Sequence, residues 1–346
     1  MTDEATRSDP WIDAHLDLTY VALDRAADAP DLSVEPDRSR ACVSWRSLAA
    51  GRVRACLGTI FTAFGEPEDP CGYVDHEDRE GAHRAGMRQL ELYEDWDRAG
   101  LIRIARSIDD VDTALAGEGP PAVVLLMECA DPIRTPDEAS HWVDRGVAMV
   151  GLSWSAGSRY SGGNGRAGGL TAEGRELVAA LDEAGAAHDV SHLADESVDD
   201  LLDCARGPIA STHSNARCVH GAGRVATRNL AADHAREIAA RGGVAGINLF
   251  ARFLSAEENA TMQDVLAHAD SLADAFGRDR IGLGSDLDGG FGPDLLPEGI
   301  DGPEQLDRIL DALADGGWST TERAAFRCDA WRSFLAGIPR LSDGRA

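Results

Sequence analysis

The chain has 346 residues, 43% of them hydrophobic and 27% charged, a balance that supplies a substantial core and excludes extended disorder away from the ends. Its formal net charge is −27, and every residue counted as Lys+Arg is an arginine. So acidic a surface repels nucleic-acid phosphates and anionic membranes, which removes both as attractive partners.

Short apolar, β-branched runs alternate with amphipathic stretches along the whole chain. The predicted strands cover residues 11–18, 53–61, 122–128, 147–153, 186–190, 208–213, 243–249 and 281–286. Helices are predicted over 80–99, 171–184, 195–205, 231–241, 262–276 and 303–314, with Thr171 and Asp195 at helix starts. No Pro/Ser-rich linker or short repeat divides the chain. The economical expectation is an α/β fold: one (β/α)8 TIM barrel spanning 1–346 as a single domain. A doubly wound open sheet would give a similar string. The polar residues favour the barrel, because His15, Asp17, Glu128, His192, His213 and Asp286 all fall at or near predicted strand ends. Barrel enzymes carry their chemistry there, and an open sheet gathers only a few such ends.

The N-terminal segment has no basic region followed by an apolar stretch, and the C-terminal LSDGRA has no apolar tail. No run reaches the length of a membrane-spanning helix. The seven cysteines are odd in number and lack paired C-x-x-C spacing, which argues against a disulfide framework or a thiolate zinc site. These features lead to the expectation of a cytoplasmic protein with reduced thiols. The lysine-free composition fits either a salt-adapted cytoplasm or a GC-rich genome that prefers arginine codons.

Five N and O ligand types, His15, Asp17, Glu128, His192 and His213, suit a pair of divalent ions. Two ions about 3.5–4 Å apart need a shared ligand, and a carboxylate or a carbamylated lysine can serve. With no lysine in the chain, Glu128 is the candidate bridge. His15 and Asp17 stand two apart, so an extended strand points both to one face, where an unpartnered carboxylate would ask for a cation. The alternatives remain open: a His15–Asp17 hydrogen bond, a Glu128 carboxylate emerging into solvent, and His192 and His213 as satisfied core histidines. Asp286 in IGLGSDLDGG reads as a proton-transfer residue and Asp288 as its structural neighbour, with a capping turn as the alternative. The spacing fits neither a dinucleotide loop nor a calcium loop. The glycine-rich loop 158–169 is too poor in side chains to pack, and is expected at the barrel mouth as a substrate-covering loop or a solvated connector. Trp154 and Arg159 beside it are candidate substrate contacts.

The blocks GLTAEGRELVAAL, HDVSH, ASTHSNAR, RNLAADHAREIAARGGVAGIN and IGLGSDLDGG, in that order, resemble the renal (membrane) dipeptidases, a family of zinc metallopeptidases on a (β/α)8 barrel. In the N-terminal half the similarity is confined mainly to HLD and LLMECADPI. The resemblance implies two Zn2+ ions per chain, one on His15 and Asp17, the other on His192 and His213, with Glu128 shared. It further implies a metal-bridging hydroxide that attacks the peptide carbonyl of a small dipeptide, with Asp286 moving the proton. Arg228 matches the position that grips the terminal carboxylate, and homodimers occur in the family. Three departures stand out: Leu-Ser-Trp at Trp154 where the family has Leu-Thr-His, Glu128-Cys129-Ala130 for Glu-Gly-Gly, and a faint C-terminal block in CDAWRSFL. An indole can donate one hydrogen bond but cannot accept one. Trp154 therefore prompts a further reading, hydrolysis of another small amide or lactam such as an acylated amino acid, and a reading of a different class is a metal-binding scaffold or sensor without activity.

Overall fold

All eight predicted strands form, and all run parallel: β1 (Trp11–Leu16), β2 (Val53–Ile60), β3 (Ala122–Met127), β4 (Val147–Gly151), β5 (Ala187–Asp189), β6 (Ile209–Ala210), β7 (Ala245–Ile247) and β8 (Ile281–Leu283). The computed structural model describes residues 9–25, 31–33, 39–65, 67–257 and 259–342, so the chain ends read for targeting signals fall largely outside it. The strands hydrogen-bond in the order β6-β5-β4-β3-β2-β1-β8-β7. A parallel bridge between Ser211 and Ala245 joins the two ends, with the Gly246 N–H donating to the Ser211 carbonyl at 2.8 Å. The result is a (β/α)8 barrel.

Several strands stop short of the expected ends, β6 after two residues and β5 and β8 after three. The apolar pattern runs on because the segments above the barrel are buried too, as at Val190 and Leu249. Apart from His15, which lies within β1, the polar residues expected at strand ends therefore sit on the first residues of the following loops.

The predicted helices appear as Arg79–Arg98, Ala172–Ala184, Asp195–Cys204, Ala232–Ala240 and Met262–Phe276. The Thr171 hydroxyl caps its helix by accepting the Gly174 N–H at 3.0 Å, and Gly185 ends it at φ +85°. The last one divides into a 3-10 turn, Pro303–Gln305, and a helix, Asp307–Asp315. Helix Ile108–Leu115 and the C-terminal helices Thr320–Ala324 and Ala330–Ala336, separated by a π-helical stretch, had no predicted counterpart.

Ile12, Leu57, Val124 and Leu126 belong to one buried cluster with Trp331 and Phe334, while Val123, Leu125 and Met127 belong to the cluster shared with the helices. This is the alternation a barrel strand requires. Trp331 packs against β8, where a Cβ on Gly282 would stand 2.5 Å from its indole. Among the described residues no helix is long and apolar enough to cross a membrane.

The loop 158–169 does pack, contrary to expectation. It forms a hairpin, Ser161–Gly163 with Arg166–Leu170, whose first strand is buried. Its glycines allow close backbone approach: a Cβ on Gly163 would lie 2.2 Å from the Trp154 carbonyl oxygen.

Candidate metal centre and active site

His15 reaches the barrel interior through an irregularity in β1. Asp13 pairs with Cys56 but Leu16 with Gly58, so β1 carries one extra residue there. A strict alternation from Ile12 and Ala14 would turn His15 outward, and the bulge re-aims it. The buried Asp13 carboxylate supports the bulge by accepting the backbone N–H groups of Ser285 at 2.8 Å and His15 at 3.3 Å. Asp17 follows β1 rather than lying on it, its N–H donating to Asp288 Oδ1 at 2.8 Å and its carboxylate accepting from the Thr59 hydroxyl. Asp288 is thus the structural neighbour that the sequence suggested.

Glu128 Oε1 is the meeting point. It lies 3.7 Å from His15 Nε2, 3.2 Å from His192 Nε2 and 3.5 Å from His213 Nε2, while His15 Nε2 is 3.8 Å from Asp17 Oδ1. Ligand atoms of His15, Glu128 and His213 lie within 4.8 Å of one another, as do those of His15, Asp17 and Asp286. His15 and His213 stack with centroids 3.5 Å apart. His192 and Asp286 hold positive φ, +68° and +60°, a region that non-glycine residues occupy at a cost and that clusters at functional sites.

The surrounding hydrogen bonds set the imidazole tautomers. His192 Nδ1 meets the Asn164 Oδ1 acceptor at 3.1 Å, so Nδ1 carries the proton. The Thr212 hydroxyl gives its one proton to Asp189 Oδ2 at 2.5 Å, and so accepts from His213 Nδ1 at 2.8 Å. Both Nε2 atoms then present bare lone pairs to each other, 3.0 Å apart. Two acceptors at that distance repel unless a cation lies between them. Two donors on a tetrahedral ion at about 2.0–2.1 Å stand roughly 3.3 Å apart, close to the separations found here.

Electrostatics point the same way. Burial, reinforced by Asp17 and Asp286 and opposed by Arg228, pushes the Glu128 carboxyl well above its usual range. Burial and Asp286 raise Asp17 to about 7, and burial raises Asp286 to about 6 against the opposing Asn248 hydrogen bond. Burial and the Arg228 charge lower His15 to about 3, and burial holds His192 and His213 well below their ordinary value. The imidazoles are therefore in the neutral, ligating form, and the carboxylates lack a counter-charge that divalent ions would supply. His15 Nδ1 is buried without a partner. The donor set fits divalent metal.

One consequence concerns stability. Below about pH 6.5 the buried, neutral histidines oppose the raised carboxyls. Above it the histidines are uncharged in both states, while folded Asp17, raised to about 7, and Glu128, raised well above its usual range, still hold protons that the unfolded chain has released. Without metal, stability therefore falls as pH rises from about 6.5 toward 8. Chelator-treated protein should show a falling Tm across that window, and metal-loaded protein should not. A chelated sample with a flat or rising Tm would contradict this account.

The site opens into a cavity of about 330 Å³ whose wall includes Asp17, Glu128, His192, Asp286 and Trp154. A larger cleft of about 840 Å³ lies at the other end of the strands, beside Gly207, Pro208 and Gly242, and contains none of these residues. The Trp154 indole stands edge-on to Phe61 at 5.3 Å and 6.0 Å from the His192 ring. Arg228 is buried 5.0 Å over the Phe253 ring, donating to Ser214 Oγ at 2.9 Å and to the His213 carbonyl at 2.7 Å, and its Nε has no partner.

Arg159 is not brought to the cavity. Its guanidinium donates to the carbonyls of His76, Asp131 and Ile133, tying loops together. Sequence reasoning passed over Asn164, Thr212, Asp189 and Asn248, whose amide holds Asp286 Oδ2 at 2.8 Å. Thr212 and Asp189 lie within one and three residues of the ligand-type histidines, but Asn164 and Asn248 reach the site only through the fold.

A family model described as membrane dipeptidase, peptidase family M19, matches residues 3–328. An uncharacterized protein in the pqqA 5′ region of Klebsiella pneumoniae is 31% identical over 202 residues, 55% of this chain and 70% of that protein. An uncharacterized dipeptidase of Schizosaccharomyces pombe is 32% identical over 158 residues, 45% of this chain but only 37% of that protein. Among solved structures, a Rhodobacter sphaeroides metallopeptidase liganded with a phosphinate mimic of L-Ala-D-Ala superposes with a TM-score of 0.83 at 23% identity, covering 95% of this chain and 99% of that one. Matched over nearly its whole length, the chain belongs to the membrane dipeptidase family of metallopeptidases.

Proposed function

We propose that the chain is a zinc-dependent dipeptidase holding two ions, one on His15 and Asp17, the other on His192 and His213, with Glu128 shared. The observation that carries this reading is Glu128 Oε1 lying within 3.2–3.7 Å of three imidazole Nε2 atoms, with Glu128 and His192 in the wall of a cavity rich in aromatic side chains. Two divalent ions there would supply Lewis acidity toward the substrate carbonyl and make water a competent nucleophile near neutral pH.

The chain's own residues would do the rest. Asp286, steadied by the Asn248 amide, takes the proton of the attacking water and delivers it to the departing amine. Burial that places Asp286 near 6 suits a group that must both accept and give a proton. Arg228 keeps N–H donors beyond the two it uses on Ser214 and His213, and a planar fork of this kind suits a terminal carboxylate. Arg228→Lys is therefore expected to raise KM for dipeptides about 10- to 100-fold with a smaller change in kcat, read from steady-state kinetics. An unchanged KM would remove Arg228 from the carboxylate site.

Trp154 favours a second reading, hydrolysis of another small amide at the same centre, because its indole lines the cavity with one donor and no acceptor. A panel of L,L and L,D dipeptides beside acylated amino acids separates the two. The L-Ala-D-Ala mimic bound by the Rhodobacter relative makes L,D dipeptides the natural first choice. Inert dipeptides beside a hydrolysed acyl amino acid would overturn the dipeptidase reading.

A further inference from the structure

Aromatic residues are scarce in this chain, 5% of the total, yet they crowd the cavity above the candidate metal centre. They form two contiguous walls. On one, Tyr20 meets Phe61 edge-on at 5.3 Å and Phe61 meets Trp154 edge-on at 5.3 Å. On the other, Phe250 lies 4.8 Å from Phe253 and 4.5 Å from Phe291. The walls come from segments far apart in the chain, after β1, β2 and β4 on one side and after β7 and β8 on the other, so no local pattern of core packing explains their meeting. All six line the cavity together with Phe64, and of the seven only Phe291 is buried while the others are half-buried.

The charges lining the same cavity are all acidic: Asp17, Glu128, Asp286 and, away from the ligand-type residues, Asp69. No arginine lines it, and the buried Arg228 behind it is assigned to the terminal carboxylate, which leaves no guanidinium for an acidic side chain. Metal would neutralise the first group, but Asp69 stands apart, its Oδ1 engaged with the Cys71 N–H at 2.7 Å. It would repel a carboxylate on a substrate side chain.

Resting on the dipeptidase reading, we propose that this site selects dipeptides with large apolar or aromatic side chains and discriminates against those with Asp or Glu side chains. Rings bury well between aromatic walls and gain further from edge-to-face contact, whereas a methyl or hydrogen leaves the walls unfilled. Phe61 and Phe291 are then specificity-determining, since neither carries a group that could move a proton.

The test is kcat/KM of the zinc-loaded enzyme for Leu-Phe and Phe-Phe against Ala-Ala, Gly-Gly, Ala-Asp and Glu-Ala. The expected result is a preference of about 10- to 100-fold for the bulky pair over Ala-Ala, with the acidic pair slowest. In Phe61→Ala and Phe291→Ala the ratio of Leu-Phe to Ala-Ala should fall at least several-fold, a ratio that partial misfolding would not alter. Equal or faster turnover of Ala-Ala or Glu-Ala by the wild type overturns the selectivity while leaving the dipeptidase reading intact. If no dipeptide is hydrolysed and acylated amino acids are, the dipeptidase reading fails and the proposal falls with it.

Discussion

Glu128→Ala should strip at least one metal equivalent from the purified protein and abolish turnover, where the wild type is expected to carry close to two. The three imidazole Nε2 atoms converge on one oxygen of this side chain, so its loss removes the only carboxylate that, among the described residues, lies within 4 Å of all three. A bridging ligand contributes to both ions, and no lysine exists in the chain to substitute for it. The expected loss in kcat/KM exceeds about 10³-fold, beyond what removing a single transition-state hydrogen bond produces. Metal quantitation by elemental analysis, on wild type and variant purified together, is the deciding measurement. An unchanged metal count in the variant would remove Glu128 from the bridge. The substitution also deletes a buried acid whose charged form is penalised by burial and by the neighbouring carboxylates of Asp17, Asp286 and Asp189. The chelated variant should therefore be no less stable than chelated wild type at pH 7, which separates loss of metal from loss of fold.

The second large effect is expected at Asp286→Asn. This substitution keeps the shape of the side chain and removes its capacity to take a proton, so kcat should fall about 10²- to 10⁴-fold. Metal content should stay close to that of wild type, because Asp286 lies beside the ligand-type residues without being one of the assigned five. The combination of retained metal and lost turnover is the signature of a proton-transfer role. Should metal leave as well, Asp286 would instead be a ligand, a possibility given chemical form by its grouping with His15 and Asp17. Its neighbour Asn248 offers a milder contrast: it holds Asp286 Oδ2 but cannot itself exchange a proton at neutral pH.

Much of the fold was legible in the order of the residues. A continuous apolar run in 122–127, buried on both faces, and a helical period in 262–276, which buries one face, are local signals, and both elements form close to where they were expected. Strand ends were less legible, because Val190 and Leu249 are as apolar and as buried as strand residues although they lie past the ends of β5 and β7. The hairpin 161–170 escaped notice for a related reason. Its glycines look like slack in a sequence, and only the nearby backbone of Trp154 shows that they permit close packing.

By itself the sequence determined the eight strands, the lack of lysine, and the ligand-type residues next to apolar runs, because each depends on local pattern or composition. Only the tertiary structure decided that the bulge in β1 turns His15 inward, that Asn164 and Thr212 leave two bare imidazole nitrogens facing each other, and that Arg159 ties loops together away from the cavity. Apart from the contact of Thr212 with its chain neighbour His213, whose direction is itself set by the distant Asp189, those outcomes depend on pairings between residues distant in the chain. A side chain's proton and direction are set by whichever partner the closed barrel brings within reach, and no run of neighbouring residues encodes that partner.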